Sequence, residues 1–142
     1  MAAKSTYLDN AVLAAVLTNV SFTSPTTVYA GLFTTAPTAA YTNTVATGTE
    51  VVDTNYTRQA VAFSAPSGGS TANTGTVAFF GAGAAGPGPY TIVAVGILDL
   101  GGAPVSSPFG NLLYFGNLTV SKTVSTGDPL QFAMSALAVS ES

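Results

Sequence analysis

Few side chains in this chain of 142 residues could support charge-dependent chemistry. They are Asp9, Glu50, Asp53, Asp99, Asp128 and Glu141, together with Lys4, Arg58 and Lys122. Two carboxylates that converge on a sugar ring could hydrolyse a glycosidic bond. Glu50 and Asp53 are three residues apart, so an extended strand would point them to opposite faces. We therefore expect no catalytic residue and no enzyme; the rival hypothesis is a glycan hydrolase in which Glu50 and Asp99 converge.

Arg58 is the only arginine, and it follows Glu50 by eight residues. If Asp53–Tyr56 forms a turn, Glu50 and Arg58 can pair across a hairpin. The guanidinium fork fits a carboxylate at two points, and opposite charges on paired strands favour one register. We therefore predict a structural ion pair between Glu50 and Arg58. The alternative is an arginine that binds a substrate.

Asp99 and Asp128 stand beside the glycine-rich turns Gly101–Pro104 and Gly127–Pro129. Aspartate is favoured in turns because its carboxylate accepts hydrogen bonds from nearby backbone amides. We therefore predict that Asp99 and Asp128 stabilise turns.

A glycine-rich stretch, Gly81–Gly86, has the G-x-G-x-x-G spacing of a dinucleotide-binding loop. That motif needs a helix directly after it, and Pro87-Gly88-Pro89 opposes one. Asp99 also follows too soon to serve as the acidic ribose ligand. We therefore predict a surface or intersubunit loop over Gly81–Pro89 and no nucleotide cofactor.

The composition excludes most other chemistry. The chain contains no Cys and no His, which excludes a thiolate nucleophile, a disulfide, an iron–sulfur cluster and an ordinary zinc site. The commonest general base at neutral pH is also missing. We therefore expect no metal and no cofactor. Three basic residues cannot neutralise a run of phosphates, so nucleic acid is not an expected partner.

High hydropathy with little charge could indicate either a membrane or an assembly. Only 6% of the residues are charged, against about 25% in an average soluble domain. The longest apolar runs, Ala11–Leu17 and Ile92–Leu98, are far shorter than the ~20 residues of a membrane-spanning helix. No signal-peptide core precedes Asn10. We therefore expect no membrane partner and predict that much of the surface is buried against other subunits.

One helix is predicted, from Thr6 to Leu17, with a capping-box-like start at Thr6–Asp9 and a stop at Asn19. Its apolar face has the i, i+3, i+4 spacing of a helix that packs on a sheet. That face comprises Leu8, Ala11, Val12, Ala15 and Val16. The alternative is an arm that docks on a neighbouring subunit.

After Val20 the sequence is rich in threonine, and glycine and proline recur at short intervals. Short strands between such turns are typical of an all-β sandwich or barrel. The predicted strands are Thr27–Phe33, Thr49–Val52, Arg58–Phe63, Thr76–Phe80, Thr91–Leu98, Leu112–Val120 and Gln131–Val139. The predicted fold class is mainly β: an antiparallel β-sandwich or barrel-like domain with one N-terminal α-helix.

Thr91–Leu98 is apolar on both faces, which predicts a central strand. Thr35–Gly48 is polar without a sustained pattern and predicts a long exposed loop. No linker divides the chain, so we expect a single structural domain over residues 1–142. Residues 1–19 would form an arm and the helix, and residues 20–142 the β domain.

Several short blocks occur in a characteristic order along almost the whole chain. The most specific are Glu50-Val51 with Tyr56-Thr57-Arg58-Gln59, and the block Gly127–Phe132. The others are Tyr7–Asn10, Val28–Phe33, Asn73–Phe79, Gly96–Asp99 and Gly110–Gly116. In this order the blocks resemble a family of small virion proteins of tailed bacteriophages. Members are often labelled tail-fibre-like, and some relatives are capsid cement or decoration proteins.

The resemblance implies a β-sandwich structural protein that assembles in multiple copies. We expect a capsid decoration protein that stabilises the head shell as a homotrimer on the capsid surface. Its partners would be the major capsid protein and itself, and assembly would take place in the host cytoplasm. Met1–Ser5 or the helix would be the docking segment. The alternative is a tail or tail-fibre component that contacts the host through Thr35–Gly48 and Gly81–Pro89.

Overall fold

The computed structural model describes residues 2–80, 89–103 and 105–141. Within these ranges the chain forms one helix, α1 (Thr6–Leu17), and ten strands. The strands are β1 (Ala3–Lys4), β2 (Val28–Thr35), β3 (Thr49–Glu50), β4 (Gln59–Val61), β5 (Ser70–Ala72), β6 (Val77–Phe79), β7 (Tyr90–Leu98), β8 (Leu112–Val124), β9 (Leu130–Phe132) and β10 (Ala138–Ser140). Their pairings are antiparallel. The prediction of a mainly β, sandwich-like fold with one N-terminal helix is confirmed.

A six-stranded sheet with the order β1-β8-β7-β2-β3 forms the centre of the molecule, and β4 also pairs with β2. Strand β7 occupies one edge of β2, so β3 and β4 share the other edge. β3 pairs with β2 at Phe33 and Thr35, whereas β4 pairs with β2 at Val28, Tyr29 and Ala30. The chain between these two short strands leaves the sheet edge and carries the site described below.

Each face of the sheet has its own apolar cluster. Along β7, Val95 and Ile97 belong to one cluster, on the first face, and Ala94 and Leu98 to the other, on the second face. The two-stranded β6·β9 ribbon packs against the first face, and the loop between β2 and β3 covers the second. Because both faces are covered, β7 is apolar along most of its length, as its sequence predicts.

The loop predicted to be exposed over Thr35–Gly48 is instead partly built into the core. Tyr41 is 1% exposed, and its ring stands edge-on to Phe33 and Phe109 with centroids 6.2 and 6.4 Å away. Only Asn43–Ala46 form a continuous exposed stretch within it. A single buried aromatic residue in a polar stretch produces no periodicity, which is why the pattern missed it.

The helix has the predicted bounds, but its N-cap is Ser5 rather than Thr6. The Ser5 hydroxyl accepts the Leu8 N–H at 3.2 Å and donates to the Leu112 carbonyl on β8. Ser5 is fully buried because β1 adds to the edge of β8 just before it. The N-terminal segment is therefore held by its own chain, whereas α1 keeps the exposed apolar residues Leu13, Val16 and Leu17.

The sequence predicts that one apolar face of α1 packs on the sheet. This prediction is correct for Leu8, which is buried, and wrong for Val16, which is 74% exposed. Val16 lies at the margin of the predicted stripe, beside the exposed Leu13 and Leu17. The helix ends at Leu17. The predicted stop, Asn19, has a left-handed backbone with φ of 56°, a conformation typical of helix ends.

The strand predicted at Gln131–Val139 is wrong, because its two ends belong to different ribbons. Its first part pairs with β6 as β9, and its last part pairs with β5 as β10. Between them, the buried Asn73 accepts the Leu137 N–H at 2.8 Å through its side chain and the Ser135 N–H at 2.9 Å through its carbonyl. The very short β1 and β5 have no period that a pattern could detect.

The predicted Gly81–Pro89 loop, with the G-x-G-x-x-G spacing inside it, lies outside the described residues except for Pro89. The same holds for Pro104 in the predicted turn Gly101–Pro104. In the ranges that are described, no helix has the length and apolar character needed to cross a membrane.

Candidate functional site

Arg58 is 3% exposed and lies over the second face of the sheet. Its Nε donates to Oε1 of Glu50 at 2.8 Å and its Nη2 donates to Oε2 at 2.7 Å, a two-point contact. Nη1 donates to the carbonyls of Leu100 at 2.8 Å and Phe109 at 2.7 Å. Nη2 also donates to the Tyr41 hydroxyl at 3.2 Å. All five guanidinium N–H groups therefore have an acceptor, and none is left for a substrate.

The five hydrogen bonds join segments that are distant in sequence. Glu50 ends β3, Tyr41 belongs to the loop before β3, and the two carbonyls belong to the loop between β7 and β8. The Arg58 N–H adds a further bond to the Gly102 carbonyl at 2.8 Å. The arginine thus fastens both loops to the edge of the sheet.

Glu50 and Arg58 are brought together, but not across a hairpin as their spacing suggests. β3 and β4 lie along the same edge of β2 instead of pairing with each other. The predicted turn between them forms: the Asn55 N–H donates to the Asp53 carboxylate at 2.8 Å and the Tyr56 N–H to the Asp53 carbonyl at 3.1 Å. The turn brings the chain back to the same edge of β2, so the Glu50 carboxylate and the Arg58 guanidinium come into contact.

The Tyr56 side chain fills the gap between β3 and β4. Its hydroxyl accepts the Leu32 N–H at 2.9 Å and donates to Oε1 of Glu50 at 2.7 Å. The ring is 3% exposed and stacks parallel to Phe79 at a centroid distance of 6.2 Å. The Leu32 N–H thus finds an acceptor on the edge of β2 where neither β3 nor β4 pairs with this residue.

Two glycines that are partners in the β2–β7 register, Gly31 and Gly96, leave room for these side chains. A Cβ on Gly31 would lie 2.9 Å from Oε1 of Glu50 and 3.1 Å from Cδ1 of Leu98. A Cβ on Gly96 would lie 2.9 Å from Cε2 of Phe33. The absence of side chains at this pair therefore lets the ion pair and the aromatic ring approach the sheet.

Protonation in this cluster is fixed by burial and by the ion pair. Burial alone lowers the pKa of Arg58, but the hydrogen bonds and charge of Glu50 outweigh it and the net pKa is raised. Burial raises the pKa of Tyr56, and the Glu50 charge raises it further. Burial also raises the pKa of Tyr41 in spite of Arg58 nearby. A fixed guanidinium and two neutral phenols suit a structural role, since proton transfer needs groups that titrate near the working pH.

Within the described residues, the Asp99 carboxylate bonds a residue twelve positions away and not the turn beside it. Its carboxylate accepts the backbone N–H of Asn111 at 2.6 Å and the side-chain amide of Asn111 at 2.9 Å. The Asn111 side chain accepts the Asn43 N–H at 3.1 Å, and the Asn43 side chain accepts the Gly110 N–H at 2.9 Å. Sequence reasoning missed Asn43 and Asn111, because isolated asparagines in polar loops carry no pattern that names their partners.

Asp128 lies at the turn where it was predicted. Its carboxylate accepts the Ser125 N–H at 3.2 Å, and its own N–H donates to the Ser125 carbonyl at 2.9 Å. Within the described ranges, no group of three or more acidic side chains is placed to hold a metal ion. The polar groups around Arg58 are engaged in hydrogen bonds that hold separate segments of the chain together.

A family model described as podophage GP4 fiber I protein gp80 matches residues 3–140. The chain belongs to this family. The match covers nearly the whole chain and includes both members of the Glu50–Arg58 pair. It confirms the resemblance to small virion proteins of tailed bacteriophages that the ordered blocks indicate. A search of curated proteins finds no match.

A second polar cluster in this gp80-family chain lies at the surface and joins β1 to the residue after β10. Lys4 lies 3.3 Å from the Asp9 carboxylate and 3.5 Å from the Glu141 carboxylate. The Tyr114 hydroxyl also donates to Glu141. The hydrogen bond to Asp9 is the main cause of the raised pKa of Lys4. Because these side chains are 31%, 48% and 43% exposed in Lys4, Asp9 and Glu141, solvent weakens the attraction, and the cluster positions segments while adding little stability.

Proposed function

We propose that this structural phage virion protein is a capsid decoration, or cement, protein that stabilises the head shell of a tailed phage as a homotrimer. The observation that carries the proposal is the outer surface of α1, where Leu13, Val16 and Leu17 are 55%, 74% and 73% exposed. Contiguous apolar surface of this kind is typical of a contact site. The major capsid protein would be the partner, joined on the capsid surface during assembly in the host cytoplasm.

The polar groups of the chain support a passive role. Both oxygens of Glu50 accept hydrogen bonds from Arg58, and both oxygens of Asp99 accept hydrogen bonds from Asn111. The two carboxylates that a glycan hydrolase would need are thus each committed to a structural partner. We therefore infer that the chain acts by binding and not by catalysis.

The Arg58 cluster supports the same role through rigidity. It fastens two long loops to one sheet edge with hydrogen bonds that are shielded from water. Buried networks in which every donor and acceptor is satisfied hold one conformation. A module that braces a shell against internal pressure needs loops that do not open under load.

The proposal is tested by heating particles made with and without the chain and measuring released DNA with an intercalating dye. We expect DNA release at a lower temperature without the chain, and recovery when purified folded chain is added back. The same mass of heat-unfolded chain is the control and should give no recovery. Equal release from both kinds of particle would contradict a cementing role.

Its location is tested by cryo-electron microscopy of the intact particle. We expect density for the chain on the outside of the head, related by local three-fold symmetry. Density only on the tail would overturn the proposal.

A fibre or tail component that contacts the host is the second candidate, and the description of the matched family as a fiber protein favours it. Tyr41 argues against it, because the aromatic residue of the Thr35–Gly48 loop is 1% exposed and unavailable to a host molecule. Purified chain that competes with the phage for adsorption to host cells would favour this candidate. We expect no competition.

A further inference from the structure

The described chain begins with an arm, residues 2–17, which contains β1 and α1. A connector of residues 18–27 joins this arm to β2. The connector is exposed except at Phe22 and Pro25, which are half-buried, and Phe22 packs against the cluster on the first face. None of the described residues makes a backbone hydrogen bond with residues 21–27. The connector therefore restrains the arm through its length and through one aromatic contact.

The arm is attached to the rest of the chain, the body, near its beginning. β1 pairs with Tyr114 and Phe115, and Ser5 then donates its N–H to the Leu113 carbonyl at 3.0 Å. Within α1 the buried residue is Leu8. Because β1 is the last strand on its side of the sheet, this part of β8 would be an unpaired edge without it, and unpaired edges bind strands of other chains readily. The edge of β8 is therefore a binding site whose occupant, the arm, is known.

We infer that, when copies associate, the arm of one copy lies on β8 of a second copy. The contacts that hold the arm join it to the body, so they form equally well when arm and body belong to different chains. The connector can span roughly 33 Å when extended, and its residues 21–27 have no backbone hydrogen bond to a described residue that extension would break. Exchange of an identical element between copies is for these reasons a low-cost route to an oligomer.

The concentration of copies decides between the two arrangements. An arm on its own body competes with the arms of other copies through its effective concentration, which the connector sets. In an assembly of three copies, the other arms and the other β8 edges are held close together. Each arm can then pass to the next copy, and a contact repeated in this way closes into a ring when the rotation allows. This inference rests on the proposed homotrimer and supplies the contact that would hold it together.

The junction between arm and connector gives a second reason for exchange. Val16, Leu17 and Val20 lie on either side of this junction and are 74%, 73% and 56% exposed. While the arm stays on its own body, these side chains face water. After exchange, the junction crosses from one copy to the next and lies between two bodies, where apolar side chains are buried. Exchange therefore covers apolar surface that a single copy leaves exposed.

Paired cysteines show which copy holds the arm, because the natural chain contains no cysteine. Ala3→Cys with Phe115→Cys places two thiols at directly paired positions of β1 and β8, where the distance suits a disulfide. The full chain is concentrated, oxidised with diamide and run on a denaturing gel without reductant. We expect the main band to shift from monomer to covalent trimer, because each disulfide would join one copy to the next.

Thr91→Cys with Thr123→Cys is the matched control. These positions are also direct partners, on β7 and β8 of the body, and the two hydroxyls lie 3.4 Å apart. This variant should form its disulfide within one chain and run as a monomer. Ala3→Cys alone and Phe115→Cys alone should also run as monomers, which excludes random oxidation. Circular dichroism and sedimentation velocity of the reduced double variant check that it folds and assembles like the wild type.

Two results would overturn the inference. A monomer with an internal Ala3→Cys to Phe115→Cys disulfide would show that each arm lies on its own body. A monomer with free thiols would show that β1 does not lie on β8 in solution.

Mixing the two single-cysteine variants provides a second test. The full-length Ala3→Cys and Phe115→Cys proteins are unfolded together in denaturant, refolded and oxidised. We expect covalent dimer in the mixture and only background in either protein treated alone, since the arm of one variant must reach the edge of the other. Background in the mixture overturns the inference.

These measurements need no phage particle, so they are independent of the decoration role. A chain that protects heated particles but forms the internal disulfide would keep the proposed function and lose arm exchange. A chain that forms covalent trimer but gives no protection would keep arm exchange and lose the decoration role. A covalent dimer as the end product of the paired-cysteine test would support exchange and contradict the three-copy assembly.

Discussion

The hydroxyl of Tyr56 accepts the backbone N–H of Leu32 at 2.9 Å, at a position on β2 where neither β3 nor β4 supplies an acceptor. The Leu32 carbonyl is satisfied separately by the Val51 N–H at 2.9 Å. The Tyr56 side chain therefore supplies the hydrogen-bond acceptor that a neighbouring strand would otherwise provide, in the gap between β3 and β4. Because the same hydroxyl donates to Glu50 at 2.7 Å, it also connects the sheet edge to the ion pair.

Tyr56→Phe should destabilise the fold although it removes one atom. The Leu32 N–H would be buried without an acceptor, and an orphaned buried donor costs about 1–3 kcal/mol. Chemical denaturation followed by circular dichroism measures the change in the free energy of unfolding. Tyr29→Phe is the matched control, since within the described residues the Tyr29 hydroxyl makes no hydrogen bond, and its free energy should stay close to wild type. Equal stability of Tyr56→Phe and Tyr29→Phe would refute the bridging role.

Arg58→Met should destabilise the fold more strongly, because it leaves the Glu50 carboxylate, whose side chain is only 12% exposed, without its partner. Removing one member of a buried ion pair costs about 3–5 kcal/mol. Arg58→Lys should recover only part of this loss, since one ammonium group cannot donate to acceptors arranged around a planar fork. Denaturant titration of both variants checks the order of stability: wild type, then Arg58→Lys, then Arg58→Met.

The double variant Arg58→Met with Glu50→Gln separates the ion pair from the loop contacts. Much of the cost of Arg58→Met comes from an uncompensated carboxylate, so adding Glu50→Gln should cost less than Glu50→Gln alone. If the two changes are additive, Glu50 and Arg58 do not act as a pair.

The helix and most of the strands could be predicted from sequence because their signals are local. Alternation and helical spacing lie within a few residues of one another, and the central, doubly covered position of β7 follows from its apolar run. The Glu50–Arg58 contact could be anticipated because the chain holds one arginine and few carboxylates. The remaining acceptors of Arg58 could not, since two of them are backbone carbonyls, of Leu100 and Phe109, and every residue has one.

The surface of α1 also shows what sequence periodicity cannot predict. The stripe through Leu8 predicted which side packs on the sheet, and Leu8 is buried there. The second apolar side, through Leu13 and Leu17, is readable only once the exposure of each residue is known. Periodicity indicates an apolar side but does not say whether the same chain or another one covers it.

Gly31→Ala should destabilise through crowding. The added Cβ would lie 2.9 Å from Oε1 of Glu50 and 3.4 Å from the Tyr56 hydroxyl, both of which are fixed by other hydrogen bonds. Overpacking of this kind costs about 1–3 kcal/mol. Gly75→Ala is the control, because nothing lies within 4 Å of its added Cβ. The difference between the two variants in the free energy of unfolding measures the effect, and a Gly31→Ala loss no larger than that of Gly75→Ala would contradict it.

Stability should fall at alkaline pH, above about pH 10. The pKa values of Tyr41, Tyr56 and Tyr114 are raised in the folded chain, with burial as the largest cause for each, whereas an unfolded tyrosine titrates near pH 10. Above that pH the unfolded chain loses phenolic protons that the folded chain keeps, so the free energy of unfolding decreases as pH rises. The stability contributed by these three protonated tyrosines is fully present below about pH 10, and it is lost as the pH rises through their raised pKa values.

Denaturant titrations at a series of pH values from 8 to 11.5 measure this slope, which approaches about 1.4 kcal/mol per pH unit for each tyrosine that stays protonated only when folded. Tyr56→Phe removes one such group and should give a shallower slope, in addition to its lower stability at neutral pH. Gly75→Ala, which changes no titratable group, should keep the wild-type slope. A free energy of unfolding that is as large at pH 11 as at pH 8 would mean that these phenols ionise as readily in the folded chain as in water, and that the hydroxyl of Tyr56 is not shielded where it meets Leu32 and Glu50.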